Sequence, residues 1–269
     1  MKQAVILAAG TGSRLGKTAA GLPKCLQTIG GKTLLDIQLD ILARVGIREV
    51  CVVIGFQHQR IRDHIAGRRE CTTIVNPLFA ETNSLYSLWE ARNWIRGSFL
   101  CLNGDVIAHP DVFHRVLAVE GSALAYDSGS GEEAEHMKVA TQAGFLGAIS
   151  KELPSRKVHG ENVGLLQFDT PGAFRLLAEV SAMIADGGVN NWVPAAVDRI
   201  ADHLPIRCVD IAGLPWIEVD FPEDLEQARS RVWPSISALV KGAQPSPPRT
   251  RNAEPAAPPA GFQQIPHAM

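Results

Sequence analysis

Two basic side chains follow a glycine-containing segment near the N-terminus, and this spacing is typical of a polyphosphate site. The apolar run 4–7 is typical of a buried parallel strand, and it breaks into the small residues 8–13, two of which are glycine. Small residues let the backbone approach a ligand, and loop N–H groups can hold phosphate oxygens. Arg14 and Lys24 supply the positive charge that a triphosphate and its transition state need. The pattern predicts a nucleotide site where the first strand ends, which is where open α/β sheets bind ligands.

Two common glycine motifs do not fit this spacing. The dinucleotide pattern G-x-G-x-x-G fails because its third glycine, Gly16, comes one residue late. A Walker A loop, G-x-x-x-x-G-K-[ST], fails because Gly10 and Gly12 both stand at the wrong distance before residues 16–18. A glycine turn without a ligand remains as the alternative, but it leaves the two basic residues unexplained.

Acidic residues follow two predicted strands and indicate a cation site. Asp105 comes after the predicted strand 99–102, and Glu218 and Asp220 follow a second apolar run. Residues two apart on a strand face the same way, so Glu218 and Asp220 could both contact one cation. Mg²⁺ prefers oxygen ligands, usually one or two carboxylates with substrate phosphates and water. The alternative is that Asp105 only ends a turn and Asp220 only caps the helix beginning at Pro222.

The N-terminal segment resembles the signature of the nucleotidyltransferase family. The likeness consists of Leu7-Ala-Ala-Gly-x-Gly-x-Arg14 with the following Pro23-Lys24, and it extends over roughly residues 1–230. It implies a Rossmann-like fold, a nucleoside triphosphate and Mg²⁺. Arg14 and Lys24 would be the catalytic residues that hold the triphosphate, with Lys24 at the α-phosphate. Asp105 and Asp220 would hold Mg²⁺, and Glu218 is grouped with them. The loop residues implied in nucleotide binding are Leu7, Ala8, Ala9, Gly10, Thr11, Gly12 and Ser13.

Further segments resemble the branch of this family that acts on phosphocholine and phosphonates. Residues 81–89 stand where sugar nucleotidyltransferases usually carry a Gly-Thr-Ala type segment. Asn83 and Ser84 are expected at a helix N-terminus, where they would bind the nucleotide, and N-capping alone is the alternative. The residues that the likeness assigns to the acceptor are Lys138, Glu161 and Asn162.

Other charged residues in this region are interpreted as bystanders. Lys151, Arg156 and Lys157 are expected to be solvated surface charges. His136 and His159 have no metal partners at a recognisable spacing, so the sequence assigns them no ligand role.

Strands and helices that alternate along the chain must position these residues. The predicted strands are 4–8, 50–54, 72–76 and 99–102, and the predicted helices are 34–45, 57–66 and 84–94. Further strands are expected at 123–126, 138–140, 145–150 and 163–168, extending or covering the sheet. This order predicts an α/β, Rossmann-like three-layer fold of nucleotidyltransferase type, with a mainly parallel mixed sheet.

The C-terminal part has a different composition. A helix over 222–232 is expected to close the catalytic domain, residues 1–232. Residues 233–269 are assigned to a tail, because residues 244–269 hold seven of the 17 prolines and cannot bury a core. The tail is expected to be disordered and dispensable for chemistry. The alternative is that the tail itself is a Pro-rich ligand for a partner.

Composition restricts the partners. Hydrophobic residues make up 46% of the 269 residues, which suits one large enzyme domain, and the net charge of −2 gives no electrostatic case for nucleic acid or membrane binding. Five cysteines without C-x-x-C pairing, and the lack of a recognisable signal peptide, favour a cytoplasmic protein. The sequence leaves open whether the chain forms a homodimer.

The expected activity is CTP-dependent transfer of CMP onto a small phosphonate or phosphomonoester, with release of pyrophosphate. Phosphonoformate, 2-aminoethylphosphonate, phosphocholine and inositol phosphate all stay open as acceptors. A sugar-1-phosphate nucleotidyltransferase using UTP or TTP is the alternative enzyme. A nucleotide-binding regulator without catalytic activity is the alternative class.

Overall fold

Most apolar runs of the sequence form strands in the computed structural model. It describes residues 3–19, 21–130 and 136–240, without the side chains of 17–19. The strands are β1 (Gln3–Ala8), β2 (Thr28–Ile29), β3 (Lys32–Thr33), β4 (Glu49–Ile54), β5 (Cys71–Val75), β6 (Phe99–Asn103), β7 (Val106–Ala108), β8 (Ser122–Asp127), β9 (Lys138–Gln142), β10 (Phe145–Ser150), β11 (Gly160–Phe168), β12 (Ile206–Asp210) and β13 (Trp216–Glu218). The helices are α1 (Leu34–Arg44), α2 (His58–His64), α3 (Ser84–Glu90), α4 (Pro110–Leu117), α5 (Thr170–Ala185), α6 (Val193–Ala201), α7 (Pro222–Gln227) and α8 (Trp233–Val240).

Nine of these strands form one mixed sheet, in the order β5-β4-β1-β6-β11-β8-β12-β10-β9. The first four strands in this order run parallel, and β12 is parallel to β8. β11 is antiparallel to β6 and β8, and β10 is antiparallel to β12 and β9. The predicted mixed sheet is confirmed, with parallel pairing concentrated in the N-terminal half and antiparallel pairing in the other. The strands expected after residue 120 extend this same sheet.

Helices cover both faces of the sheet, as a three-layer fold requires. Successive residues of a strand point to opposite faces. In β1, Ala4 and Ile6 therefore pack into one apolar cluster and Val5 into the other. The first cluster includes residues of α1, α4 and α8, and the second includes residues of α3, α5 and α6. The Rossmann-like architecture expected from the strand–helix alternation is confirmed.

The early predicted elements match the structure closely, whereas several later elements were not predicted. The predicted helix 84–94 is shorter, since the α-helix ends at Glu90 and a 3₁₀ turn follows. The elements that the sequence analysis did not predict include the helices α4, α5 and α6 and the strands β7 and β12.

The folded domain extends beyond the boundary predicted at residue 232. The chain continues from α7 through a π-helical turn into α8, whose Trp233, Ile236 and Val240 are buried. Trp233 packs directly on Gly30. A Cβ added to Gly30 would lie 1.8 Å from the indole nitrogen of Trp233. Residues 233–240 therefore belong to the core and not to the tail. Residues 241–269, the rest of the predicted tail, lie outside the described residues.

None of the helices in the described part of the chain combines the length and the apolar character that a membrane crossing requires.

Candidate active site

The loop after β1 is held against neighbouring strand ends by its own backbone. The Ala9 carbonyl accepts a hydrogen bond of 3.0 Å from the Phe56 N–H, and the Leu7 carbonyl accepts one of 2.9 Å from the Gly104 N–H. Gly12 has a φ of 62°, and a Cβ there would lie 3.1 Å from the Cβ of Lys24. Glycine at this position lets the loop pass directly beside Lys24.

Asp105 emerges at the same end of the sheet as this loop, as the parallel arrangement of β1 and β6 predicts. The link is Gly104, where an added Cβ would lie only 2.8 Å from the Leu7 carbonyl oxygen. A side chain at this position would push the end of β6 away from the end of β1. The missing side chain therefore sets how closely Asp105 approaches the glycine-containing loop.

A two-stranded pair brings the second aspartate to the first. β7 and β13 pair antiparallel, with Val106 opposite Glu218, and the Val219 N–H donates to the Asp105 carbonyl at 3.0 Å. β13 ends at Glu218. Asp220 therefore lies just beyond the strand, whereas the sequence analysis placed it on the strand. Asp220 reaches the site because this strand pair places residues 219–220 beside Asp105.

The alternative roles, ending a turn for Asp105 and capping a helix for Asp220, do not match the contacts of these side chains. The carboxylate that accepts N–H groups at the start of α7 belongs to Asp224, at 2.8 Å from the Asp220 nitrogen and 2.7 Å from the Phe221 nitrogen. The carboxylates of Asp105 and Asp220 instead contact a lysine.

Lys24 joins both aspartates. Its Nζ lies 2.7 Å from Asp105 Oδ2 and 2.5 Å from Asp220 Oδ1. Arg14 Nη1 lies 3.5 Å from Asp220 Oδ2. The sequence-predicted cations and carboxylates thus form one cluster at the end of the sheet.

Burial and charge act in opposite directions within this cluster. Burial lowers the pKa of Lys24, but the charges and hydrogen bonds of Asp105 and Asp220 outweigh it and raise the pKa above its ordinary value. Burial raises the pKa of Asp220, but Lys24 and then Arg14 bring it below the ordinary range. The ammonium and the Asp220 carboxylate are therefore both charged at neutral pH.

Glu218 lies near this pair and lines the same cleft. Burial, followed by repulsion from Asp105 and Asp220, raises the pKa of Glu218 to about 8, although Lys24 and His136 oppose the shift. Its Oε1 accepts a hydrogen bond of 3.2 Å from Asn103 Nδ2. Asn103, the last residue of β6, was not singled out by the sequence analysis.

The cluster opens into a cleft of about 400 Å³. Predicted site residues that line it are Leu7, Ala9, Gly10, Arg14, Asn83, Ser84, Asp105, Asn162, Glu218 and Asp220. A smaller cavity of about 80 Å³ shares Leu7, Gly10 and Asp105 with it, and adds Ala8, Gly12, Lys24 and Cys25. Four predicted site residues line neither space, namely Thr11, Ser13, Lys138 and Glu161.

One wall of the cleft is formed by the segment between β5 and α3. Asn83 precedes the first residue of α3, but its side chain makes no cap and donates to the Asn190 carbonyl at 3.2 Å. Ser84 Oγ accepts a hydrogen bond of 3.0 Å from the Val193 N–H, at the start of α6. N-capping of their own helix is therefore not what these two side chains do.

The cleft is lined by a different lysine from the one predicted. Lys138 Nζ donates to the Lys151 carbonyl at 3.0 Å, and Lys138 does not line the cleft. Lys151, interpreted from sequence as a surface charge, lines the cleft, and its ammonium lies 5.0 Å from the centre of the Trp192 ring. Both lysines lie at or next to strand ends, and only the packing of β9 against β10 decides which of them reaches the cleft.

Glu161 and Asn162 are neighbours with different surroundings. Glu161 is only 2% exposed, and its Oε2 lies 3.0 Å from His136 Nδ1. Asn162 lines the cleft and is 6% exposed, and its N–H donates to the Met137 carbonyl at 2.8 Å. Its side-chain Oδ1 has no hydrogen-bond partner among the described residues. Glu161 thus does not line the cleft and is bonded to His136, whereas Asn162 lines the cleft.

Comparison with known sequences gives a family and several relatives. The family model described as MobA-like NTP transferase domain matches residues 4–159. A CMP-5'-(3-aminopropyl)phosphonate synthase from Streptomyces rubellomurinus is 30% identical over 86% of this chain and 39% of its own length. A bifunctional IPC transferase and DIPP synthase from Aquifex aeolicus is 26% identical over 90% of this chain and 54% of its own length. The chain thus spans between 39% and 54% of the length of these two relatives.

Solved structures with this fold include two CTP-using enzymes. The inositol-1-phosphate CTP transferase from T. maritima matches with a TM-score of 0.77 at 18% identity, over 91% of this chain and 98% of that one. The CTP:phosphocholine cytidylyltransferase from Streptococcus pneumoniae matches with a TM-score of 0.70 at 19% identity, over 85% and 98%. At such identities the likeness establishes the fold.

Proposed function

The chain belongs to the MobA-like NTP transferase family, and from this we propose that it transfers CMP from CTP to a small phosphonate or phosphomonoester and releases pyrophosphate. The observation that carries the proposal is the convergence of Lys24 and Arg14 with Asp105 and Asp220 beside the loop after β1. Two cations and two carboxylates at one strand end are the groups that a triphosphate and its counter-ion need.

The reaction in this proposal is a direct displacement. A phosphate or phosphonate oxygen of the acceptor attacks the α-phosphorus, and the bond from that phosphorus to the bridging oxygen of pyrophosphate breaks. The attacking oxygen is already anionic, so no strong general base is needed. Catalysis comes from holding the two reactants together and from stabilising developing charge. We assign charge stabilisation to Lys24 at the α-phosphate and to Arg14 on the leaving phosphates.

The carboxylates fit a divalent cation. Both aspartates offer hard oxygen donors, and Asp105 Oδ1 is buried without a hydrogen-bond partner among the described residues. Within that part of the chain no group of three or more His, Cys, Asp or Glu side chains could hold a metal ion. Asp105 and Asp220 would hold Mg²⁺ together with substrate oxygens and water. Glu218 lines the same cleft beside them. Bound Mg²⁺ would neutralise phosphate charge.

We divide the cleft between the two substrates. The nucleoside is assigned to the wall formed by the loop after β1 together with Asn83 and Ser84. The acceptor is assigned to the part of the lining that carries Lys151, which offers a cation to its phosphate or phosphonate. Names of relatives support the combination of CTP with a phosphate or phosphonate acceptor. They include an aminopropylphosphonate synthase, a phosphoglutamine cytidylyltransferase and a choline-phosphate cytidylyltransferase.

Pyrophosphate release from four nucleoside triphosphates, each offered with a panel of acceptors, tests the proposal. The panel contains phosphonoformate, 2-aminoethylphosphonate, phosphoethanolamine, phosphocholine, glycerol 3-phosphate, inositol 1-phosphate and glucose 1-phosphate. A buried carbonyl beside the loop 7–10 that accepts a hydrogen bond from the cytosine amino group would be left unpaired with uracil, so we expect about a ten- to hundredfold preference for CTP over UTP.

Two results would contradict the proposal. A higher kcat/KM with UTP or TTP and a hexose 1-phosphate than with CTP and any other acceptor would indicate a sugar nucleotidyltransferase. Nucleotide binding by calorimetry without pyrophosphate release from any pair would indicate a regulator.

A further inference from the structure

The acceptor wall of the cleft is formed by few side chains, and their chemistry limits what can bind there. The lining residues counted in it are Met137, Lys151, Asn162, Trp192 and Pro194. Trp192 and Pro194 adjoin the nucleoside side, because the Val193 N–H between them donates to Ser84. Within the described residues this wall contains one cation, one amide, one aromatic ring and no carboxylate. The acceptor's charge and hydrogen-bonding groups must match this set.

Asn162 gives this wall an unmet hydrogen-bonding need. Its backbone N–H is bonded to the Met137 carbonyl, but Oδ1 has no partner within the described part of the chain, and the residue is 6% exposed. Buried side-chain oxygens are nearly always hydrogen-bonded, and an unmatched one destabilises its surroundings. A ligand group that donates a hydrogen bond would satisfy this oxygen.

The remaining groups of this wall do not suit a trimethylammonium group. Such a cation is usually held against aromatic faces, but the Lys151 ammonium already lies 5.0 Å from the centre of the Trp192 ring. The nearby carboxylate of Glu161 is buried and bonded to His136, 3.0 Å away. A primary ammonium would meet the same charge, but it has N–H groups to donate to Asn162, whereas a quaternary ammonium has none.

We propose that the acceptor carries, besides its phosphate or phosphonate, an N–H or O–H group that donates to Asn162 Oδ1. The site therefore selects amino or hydroxyl acceptors and discriminates against phosphocholine. This inference rests on the proposed function, because it assumes that the wall holds the acceptor of nucleotidyl transfer.

A matched pair of acceptors tests it on the unmodified protein. Phosphoethanolamine and phosphocholine differ only in three methyl groups on nitrogen, and glycerol 3-phosphate supplies hydroxyl donors without a positive charge. With CTP and Mg²⁺, we expect kcat/KM for phosphoethanolamine or glycerol 3-phosphate to exceed that for phosphocholine by at least about tenfold. The arm with the higher value tells whether the donor is an ammonium or a hydroxyl.

Variants assign the discrimination to the amide. In Asn162→Leu, which keeps the branched shape but removes the amide, the ratio between the favoured acceptor and phosphocholine should fall towards unity. The control is Gln142→Leu, an exposed amide on β9 that does not line the cleft, and it should keep the ratio. Melting temperatures of both variants report whether they fold.

The outcomes separate this inference from the proposed function. Equal kcat/KM for phosphocholine and both donor-bearing acceptors would overturn the inference and leave nucleotidyl transfer intact. An unchanged ratio in a folded Asn162→Leu variant would also overturn it. Absence of pyrophosphate release with every acceptor would refute the proposed function, and the inference would fall with it.

Discussion

Lys24 connects more of the candidate site than any other side chain described above. Its side chain is 14% exposed, and its ammonium contacts two carboxylates from distant parts of the chain. Such a cation is held in place before a ligand arrives, which is what stabilising a transition state requires. The role proposed for Lys24 is therefore mainly in turnover and less in binding.

Replacing Lys24 tests this role. In Lys24→Ala we expect kcat to fall by roughly 10²–10³, as for loss of one donor to a developing charge, with a smaller effect on CTP affinity. Steady-state kinetics and calorimetric CTP binding measure the two effects. Lys32→Ala is the control, because Lys32 pairs with Asp40 outside the cleft. An unchanged kcat with only a raised KM would contradict the prediction.

Replacing the two aspartates tests the cation site. Asp105→Asn and Asp220→Asn should each reduce turnover by orders of magnitude, because an amide is a poorer Mg²⁺ ligand than a carboxylate. The fold should survive, since each variant leaves Lys24 one carboxylate partner. Turnover measured over a Mg²⁺ titration is the readout, and the exposed Asp111→Asn is the control. Normal rates in both variants at saturating Mg²⁺ would refute the assignment.

Among the elements, short segments contribute as much to the site as long ones. The β7–β13 pair of three residues each brings the two aspartates together, and Gly104 brings β6 against β1. Both the strand pair and Gly104 act through close contact of backbone atoms, so their effects can be tested without replacing a charged residue.

Gly104→Ala should disturb both stability and turnover. The added Cβ would lie 2.8 Å from the Leu7 carbonyl oxygen, so backbone must shift. Overpacking of this kind destabilises by about 1–3 kcal/mol, and the shift moves Asp105. Gly67→Ala is the matched control, because a Cβ added there would have no atom of the described residues within 4 Å. Denaturant unfolding and kcat measure the effects, and equal behaviour of the two variants would contradict the argument.

The start of α1 gives a pH-dependent contribution to stability. Asp36 and Thr33 form a capping box, and Asp36 also contacts His64 and Arg68. Burial opposes the charged form, but Thr33, His64 and Arg68 outweigh it and hold the pKa of Asp36 below its ordinary value.

Asp36→Asn should therefore remove stability at neutral pH but not in strong acid. A lowered folded-state pKa means that the contribution is complete above the unfolded pKa, about 3.9, and is lost as pH falls through the folded value. We expect a loss of about 1 kcal/mol near pH 7, measured by urea unfolding at several pH values. A difference from the unmodified protein that stays constant between pH 7 and pH 2 would be inconsistent with this linkage.

The elements also show which parts of the structure the sequence can predict. β1, β4 and β6 are continuous apolar runs bounded by polar turns, so their composition and their order were enough to predict their places. β13 has three residues and is defined only by its pairing with β7, which no local pattern reveals. The same limit applies at the cleft, where packing and not spacing decides that Lys151 lines the wall and Lys138 supports it.

At the scale of the whole molecule, the last helix of the described residues belongs to the core. α8 buries Trp233, Ile236 and Val240 against the cluster that contains α1. Its indole covers Gly30, in the turn between β2 and β3. The domain that carries the candidate site therefore includes this C-terminal helix.

Two truncations measure where the domain ends. Ending the chain after Val240 should leave the melting temperature and kcat nearly unchanged, as the proline-rich composition of the remainder predicts. Ending it after Val232 removes three buried side chains and should cost on the order of 5 kcal/mol. A large loss from the first truncation would show that residues 241–269 pack on the domain or on a second subunit.

The long sequence separation within the charged cluster has a consequence for biosynthesis. Lys24 and Asp220 are 196 positions apart, yet their charged atoms lie 2.5 Å from each other. The N-terminal residues of a chain are made first, so both cations leave the ribosome long before the second aspartate is translated. A nascent or prematurely terminated chain that ends before Asp220 lacks one of the two carboxylates of this cluster. Only a chain translated beyond Asp220 can assemble the complete cluster, so a shorter product would lack one of the two carboxylates proposed to hold the cation.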